Sequence, residues 1–266
     1  MSASLARLRK LFDDPLLVRE GRGLVTTPTA ESLAGQISDA LRMISGALRG
    51  AGDFDPAADE RSFTILASDY VLLVLLRSLL DEVGLEAPHV RVIVRPIEGD
   101  YGDHLRSGSA DMFILPREIE RSGVPTMSAD LFSDRLVCAV DDAHPTVNGP
   151  LTLEQFSTLP YLAYQGSALP SVSQLQLRAL GIDRTVDIST QSFVVAPLLL
   201  RGTRYFTLVF ERLARALPET SRMVLSEPPV PLSPVTIAMF WSPRHEENAA
   251  HRWLRERLVK GAASLG

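Results

Sequence analysis

Residues 2–28 read SASLARLRKLFDDPLLVREGRGLVTTP. Leu5, Leu8, Leu11 and Phe12 recur at helical spacing while Arg7, Arg9 and Lys10 take other positions round the turn, so the segment predicts one helix with an apolar stripe and a basic flank. Pro15 cannot continue a helix and pushes Asp14 out of the α region, which stops the helix at Asp13 or Asp14. A hairpin follows. Leu16, Leu17 and Val18 form one short strand, Gly21-Arg22-Gly23 allows the positive φ angles of a tight turn, and Leu24, Val25 and Thr26 return, leaving Arg19 and Arg22 at the tip. A basic helix beside such a tip suits a nucleic-acid duplex, the helix in the major groove and the tip on phosphate. The same pattern also suits a solvated amphipathic helix packed on its own domain.

Thr27 is the expected N-cap of the next helix, with Pro28 at its first position and Glu31 in its first turn, where the helix dipole favours a negative charge. Ala30, Ala34, Ile37, Leu41, Ile44 and Leu48 alternate steps of four and three, the seam of a coiled coil, so residues 28–50 want a partner helix. Gly50, Gly52, Asp53, Asp55 and Pro56 then make a linker. From Ser62 the pattern becomes strand (63–67), helix (69–83), strand (90–94, its arginines outward), short helix (103–107) and strand (110–115). A strand over 136–140 leads out of this unit. A second unit repeats the alternation with strands over 161–164, 186–190, 206–209 and 235–241 and helices over 171–180, 193–200, 211–216 and 246–260. Strands alternating with helices imply mainly parallel sheets covered on both faces.

Composition limits the classes. With 266 residues and 45% hydrophobic residues the chain can bury one or two cores. Its net charge of −5 argues against a body coated for nonspecific nucleic-acid binding, although a basic end would be averaged away in that figure. One cysteine, Cys138, excludes an intramolecular disulfide framework and fits a reducing compartment. Residues 1–12 lack the apolar core of a signal peptide and 71–76 are too few to span a bilayer, so the expected place is the cytoplasm, with no membrane partner.

The order of residues in Ser2–Phe12, followed by Asp14-Pro15-Leu16-Leu17-Val18-Arg19, resembles the LysR-type transcriptional regulators of bacteria. That resemblance implies a recognition helix and wing over 1–27, a dimerising linker helix over 28–50, and an effector-binding domain over 62–266. The last would have the two-lobed type 2 periplasmic-binding-protein fold, with lobe I over about 62–138 and 235–266 and lobe II over about 139–234. Ser2, Ser4, Arg7, Arg9, Lys10, Arg19 and Arg22 then become the DNA contacts, and the partners are promoter DNA, a small-molecule inducer and a second copy, as homodimer or homotetramer. Within the family the run Leu200-Arg201-Gly202-Thr203-Arg204-Tyr205-Phe206-Thr207-Leu208-Val209, with Glu211-Arg212-Leu213-Ala214 after it, resembles the nodulation-regulator-like subgroup. The family carries a further stretch upstream of the residue aligned with Met1. The chain is therefore expected to be truncated within the helix-turn-helix and to bind a promoter poorly, and Met1 stands where relatives often carry valine, one of whose codons also serves as a start.

In open α/β sheets ligands sit beyond the carboxyl ends of strands, where backbone N–H groups hold an anion. Four such edges are readable: Ser68-Asp69-Tyr70; Glu98-Gly99-Asp100; Tyr164-Gln165-Gly166-Ser167; and Thr190-Gln191-Ser192. The resemblance turns these towards the inducer crevice. Ser68 and Ser192 fit helix caps equally well. The two tyrosines suit a small, partly aromatic or carboxylated metabolite, while Asp69, Glu98 and Asp100 disfavour a polyanion. No hydrolase elbow, phosphate loop or zinc motif occurs, His144, His245 and His251 are read as surface residues, and Cys138 as a small buried side chain, so no enzyme activity and no cofactor or metal is expected. Two other uses of the fold are a solute receptor, which needs an export signal and no basic helix, and a sensor fragment that titrates a full-length regulator.

Overall fold

A computed structural model of the chain describes residues 3–20, 23–35, 37, 54–166, 169–218 and 221–265. The chain divides into two compact units, Met1–Gly52 and Asp53–Gly266. In the first, α1 (Ala3–Phe12) ends at Asp13, whose φ of 48° leaves the helical region, and β1 (Leu17–Glu20) pairs antiparallel with β2 (Gly23–Thr26). The strand limits differ from expectation at both ends of the turn. Leu16 is no strand residue but takes φ 59° and is buried, and Gly23 opens β2 opposite Glu20. The cause is Asp14, whose carboxylate accepts the Leu16 N–H at 2.6 Å and the Thr27 hydroxyl at 2.7 Å and so knots helix, strand and following helix together. Those two bonds, Thr27 foremost, hold the Asp14 carboxyl below its ordinary pKa.

Thr27 caps the next helix by accepting the Ala30 N–H at 3.1 Å. That helix is described over 28–35 and at 37; Leu41, Ile44, Leu48 and the Gly50–Gly52 linker lie outside the described residues. Ala34 and Ile37 of the expected seam are exposed.

The second unit is built on two sheets. β3 (Arg61–Ala67), β4 (Val90–Arg95), β5 (Met112–Pro116), β6 (Met127–Asp134) and β12 (Val235–Trp241) form a five-stranded sheet in the order β4-β3-β5-β12-β6, in which only β12 runs against the rest. Two helices cross over: α2, made of Asp69–Val71, a π-helical stretch Leu72–Leu76 and Arg77–Glu86, and α3 (Tyr101–Ser107). Gly102 in α3 has no substitute, because a Cβ there would lie 2.1 Å from the Ser122 carbonyl oxygen. The second sheet joins β7 (Leu136–Asp141), β10 (Phe206–Phe210) and β11 (Met223–Ser226), with β7 in the middle and antiparallel to both neighbours. Beside it β8 (Leu162–Tyr164) and β9 (Ile188–Thr190) pair in parallel, tied to β10 by a Tyr161–Phe206 bridge. Four further helices are α4 (Leu153–Thr158), α5 (Val172–Ala179), α6 (Val195–Leu198) and α7 (Glu211–Ala216). Last comes α8 (Ala249–Ala263).

The expectation of a mainly parallel sheet thus fails in the second lobe, where the chain enters and leaves through neighbouring strands and antiparallel pairing needs no crossover. The passage between sheets falls at Asp134 and Arg135, ahead of Cys138, which sits in mid-strand opposite Leu208 and Ser226. β6 and α4 escaped prediction for different reasons. Met127-Ser-Ala-Asp-Leu-Phe-Ser-Asp134 has little strand preference and is recruited by β12. α4 carries a complete capping box between Thr152 and Gln155 that was there to be read. α8 starts at Ala249 rather than Glu246 because Asn248 caps it, accepting the His251 N–H at 2.9 Å.

One apolar core, with Phe63, Ile65, Phe113, Ile237 and Leu254 in the first lobe, continues through Val137, Phe210 and Leu213 into the second, while Cys138, Phe156, Tyr161 and Phe206 form a separate second-lobe cluster. Contrary to the expectation from their sequence contexts, two of the three histidines are not on the surface. His144 is buried and His251 is fully buried, packed by α8 against the end of the first sheet with its Nε2 3.1 Å from the Asp111 carbonyl oxygen.

Candidate functional site: a cavity between the lobes

A cavity of about 320 Å³ opens where the parallel strands of the first lobe end and face the second lobe. It is of the size that takes a small organic molecule. The carboxyl ends of β3, β4 and β5 bring Ser68, Arg95 to Glu98 and Leu115 to one side; Leu136, Tyr164, Leu169, Pro170, Val172, Ser173, Gln191, Phe193 and Phe210 close the other. This is the switch-point geometry of open α/β sheets, in which strand ends supply both backbone donors and the starts of helices.

Four aromatic rings are part of the lining. Tyr70 stacks on Phe210 with centroids 4.4 Å apart, and Tyr164 stacks on Phe193 at 3.5 Å. The Tyr70 hydroxyl donates to Asp134 Oδ2 at 2.7 Å, and the Asp134 carboxylate also accepts the Arg135 and Arg212 N–H groups at 2.7 and 3.3 Å. Burial, helped by the Asp134 charge, drives the Tyr70 phenol far above its ordinary range; burial also raises Asp134, against the pull of its own hydrogen bonds. Tyr164 is raised as well, first by burial and then by the charge of Asp69.

Of the residues expected at the crevice, Ser68, Asp69, Tyr70, Tyr164 and Gln191 line the cavity, as do Glu98 and Gly166, while Ser167 lies outside the described residues. Gly99, Asp100, Gln165, Thr190 and Ser192 are not among its lining. Asp100 caps α3 by accepting the Gly102 N–H at 3.1 Å, the Thr190 hydroxyl accepts the Ser192 N–H at 3.3 Å, and the Gln165 N–H donates to the Thr190 carbonyl at 2.9 Å. Ser68 caps α2 loosely, at 3.4 Å from the Val71 nitrogen. Phe193 and Phe210 were not anticipated. Each directly follows or ends a segment read for its polar or strand character, and only the packing of two lobes turns both rings to one place.

In the first unit Ser4, Arg7, Lys10 and Arg19 are exposed, whereas the Arg9 guanidinium donates to the carbonyls of Pro15 (2.6 Å) and Leu17 (3.4 Å), pinning α1 to the hairpin. Ser2 and Arg22 lie outside the described residues. Leu8 is 40% and Leu11 73% exposed while Leu5 and Phe12 are half-buried, so half of the apolar stripe of α1 is left open. Among the described residues no helix is long and apolar enough to cross a membrane, and no group of three or more His, Cys, Asp or Glu side chains is placed to hold a metal ion.

Two α/β lobes closing on a cavity lined from strand ends define an effector-binding domain of the type 2 periplasmic-binding-protein kind. Residues 57–263 match the family model of the LysR substrate-binding domain. The chain belongs to the LysR-type transcriptional regulators, which are not enzymes. It is 35% identical over 268 aligned positions to nodulation protein D of Bradyrhizobium sp. (strain ANU 289), with all of this chain and 78% of that protein covered. The likeness to nodulation protein D 1 of Bradyrhizobium diazoefficiens is again 35%, over all of this chain and 84% of the relative. A probable transcriptional regulator from Pseudomonas aeruginosa superposes with a TM-score of 0.82 at 28% identity, over 98% of this chain and 88% of that one. CbnR, a LysR family transcriptional regulator, shares the fold at a TM-score of 0.68 and 13% identity, over 97% and 87%. Regulators of this family bind DNA and small-molecule inducers and oligomerise. The solute-receptor reading falls away with the family.

Proposed function

We propose that this regulator senses a small molecule in the cavity between its lobes and passes the signal to a DNA-contacting unit made by residues 1–27, with 28–50 as the helix that pairs with a second copy and 62–266 as the sensor. The cavity itself carries the reading: it is walled by stacked rings and edged by the hydroxyl of Ser68 and the amide of Gln191, a surface for a partly aromatic ligand with one or two hydrogen-bonding groups. Gly99, Asp100, Gln165, Thr190 and Ser192 hold the loops that shape it. Dimer or tetramer assembly through the helix and the sensor, promoter DNA as the target and the cytoplasm as the place complete the proposal, and the single buried Cys138 suits that compartment.

A thermal-shift screen against aromatic metabolites tests the sensor. A true ligand should bind Ser68→Ala roughly 5-fold more weakly, the loss of one hydrogen bond of about 1 kcal/mol, with the melting temperature of the free protein only slightly lowered because the cap on Val71 is loose. Equal losses of binding and of thermal stability would return Ser68 to a capping role.

Exposed Arg7, Lys10 and Arg19 are assigned to phosphate, with Ser4 beside them, and Arg9 to holding the hairpin. Lys10→Ala should then weaken binding to promoter and unrelated duplex alike and reduce the slope of log affinity against log salt by about 1. Weakening confined to one sequence would make Lys10 a base-reading residue instead.

A further inference from the structure

The first residue of α2 lines the cavity and bonds to the opposite lobe. Asp69 belongs to the first lobe, yet its carboxylate takes three donors from a single second-lobe turn: the Ser192 hydroxyl at 2.5 Å on Oδ2, the Val194 N–H at 3.1 Å on the same oxygen, and the Phe193 N–H at 3.1 Å on Oδ1. Its own helix adds the Tyr70 N–H at 2.9 Å on Oδ1. Both oxygens are thus engaged. Ser192 is itself held in place, accepting the Val195 N–H at 3.0 Å. The neighbouring side chain, Tyr70, fixes the same helix start to Asp134 at the passage between the lobes. Two consecutive residues therefore tie the lobes, one beside the cavity and one at the passage between the sheets.

Charge-assisted hydrogen bonds of this kind are about twice as strong as neutral ones, and opening the lobes would break all three second-lobe bonds together. The same donors are what a bound carboxylate would seek, and here they are already used, with a negative charge left beside the cavity. We propose that Asp69 is a built-in carboxylate that clasps the two lobes beside the cavity and bars ligands carrying a carboxylate at that place. The clasp stands on its own geometry; the exclusion of acidic ligands rests on the reading of this cavity as the effector site.

The test needs no effector. Asp69→Ala in the full chain is expected to melt about 5 °C lower than the parent, and the Phe193 and Val194 amides should exchange with solvent at least 10-fold faster. Sodium acetate should restore part of both losses saturably in Asp69→Ala, by seating a carboxylate on the vacated donors. Acetamide or equal sodium chloride should not, and the parent protein should respond to acetate no more than to chloride. If Asp69→Ala does not fold, Asp69→Asn, which keeps the volume and removes the charge, is read by the same amide exchange. Unchanged melting and exchange in the variant, or an acetate response equal in parent and variant, would overturn the clasp. Acetate rescue together with tight binding of carboxylate ligands by the parent would keep the clasp and remove the exclusion. A ligand found outside this cavity would remove the effector-site reading and leave the acetate result standing.

Discussion

Replacing Asp134 by alanine is expected to lower the unfolding free energy by about 4 kcal/mol, measured by urea denaturation at neutral pH. Asp134 is 6% exposed and stands where the chain passes from one sheet to the other. Its carboxylate accepts the Tyr70 hydroxyl and the Arg135 and Arg212 N–H groups, so its removal leaves a buried phenol and two amides without their acceptor. An unsatisfied buried donor costs about 1–3 kcal/mol, and the three here share one site. Tyr70→Phe supplies the internal comparison. It removes one donor and leaves the carboxylate its two backbone bonds, so the loss should stay near 1–2 kcal/mol. A loss below about 1 kcal/mol in Asp134→Ala would mean that the aromatic stack on Phe210, and not the carboxylate, holds the passage. The salt-bridged Arg135 alongside is a weaker lever, since Arg135, Glu211 and Glu227 meet at a half-exposed surface where ion pairs contribute about 0–1 kcal/mol.

Acid should destabilise the protein well before its carboxylates titrate. His251 is fully buried, with Nε2 donating to the Asp111 carbonyl and Nδ1 accepting from Arg255 at 3.0 Å, a pattern that suits the neutral ring. His245 stacks on it with centroids 5.1 Å apart and planes within 4°. Burial, with Arg244, Arg61 and Arg255 nearby, pushes His245 down to about 4; burial, followed by the neighbouring positive charges, takes His251 to about 3. Between about pH 6.5 and pH 4 the unfolded chain therefore binds protons that the folded chain refuses. Stability is complete above pH 6.5 and falls as the pH drops, by up to about 1.4 kcal/mol per pH unit for each imidazole. Glu211, held down to about 2 by Arg135, adds its own loss only below about pH 4.5. Asp134, raised by burial, works in the opposite direction. Urea unfolding from pH 7 to pH 4 reads the slope, and His251→Gln should flatten it although it lowers stability at pH 7. A profile level from pH 7 to pH 5 in the parent would contradict the burial of an uncharged pair.

The elements of the first lobe were largely legible because each carries its own local signal. β3 is apolar from Phe63 to Ala67 except for Thr64, and β4 alternates with its arginines outward, whereas α3 begins two residues before the expected Asp103 because Asp100, read as a crevice residue, caps it. α1 and its stop were legible for the same reason, since an apolar period of 3.6 and a proline act within a few residues. β6 was not, because its pairing with β12 joins residues about a hundred positions apart and no local preference announces it. The histidines misled in the same way. Nothing beside His251 in the chain signals that α8 folds back on Asp111 and takes the ring out of water.

What the sequence by itself determined is therefore the set of elements whose periodicity, caps and breakers lie within one or two turns, the residues at the strand ends, and the family. Only the tertiary structure decided what those strand-end residues do. Side by side in the chain, Ser68, Asp69 and Tyr70 look like three equivalent donors and acceptors at one edge. In the folded chain all three line the cavity, but the Asp69 carboxylate is spent on the opposite lobe and the Tyr70 hydroxyl on the passage between sheets. The physical reason is that a hydrogen bond has a range of about 3 Å in space and none along the chain, so partners 64 to 125 residues apart are invisible until the backbone brings them together.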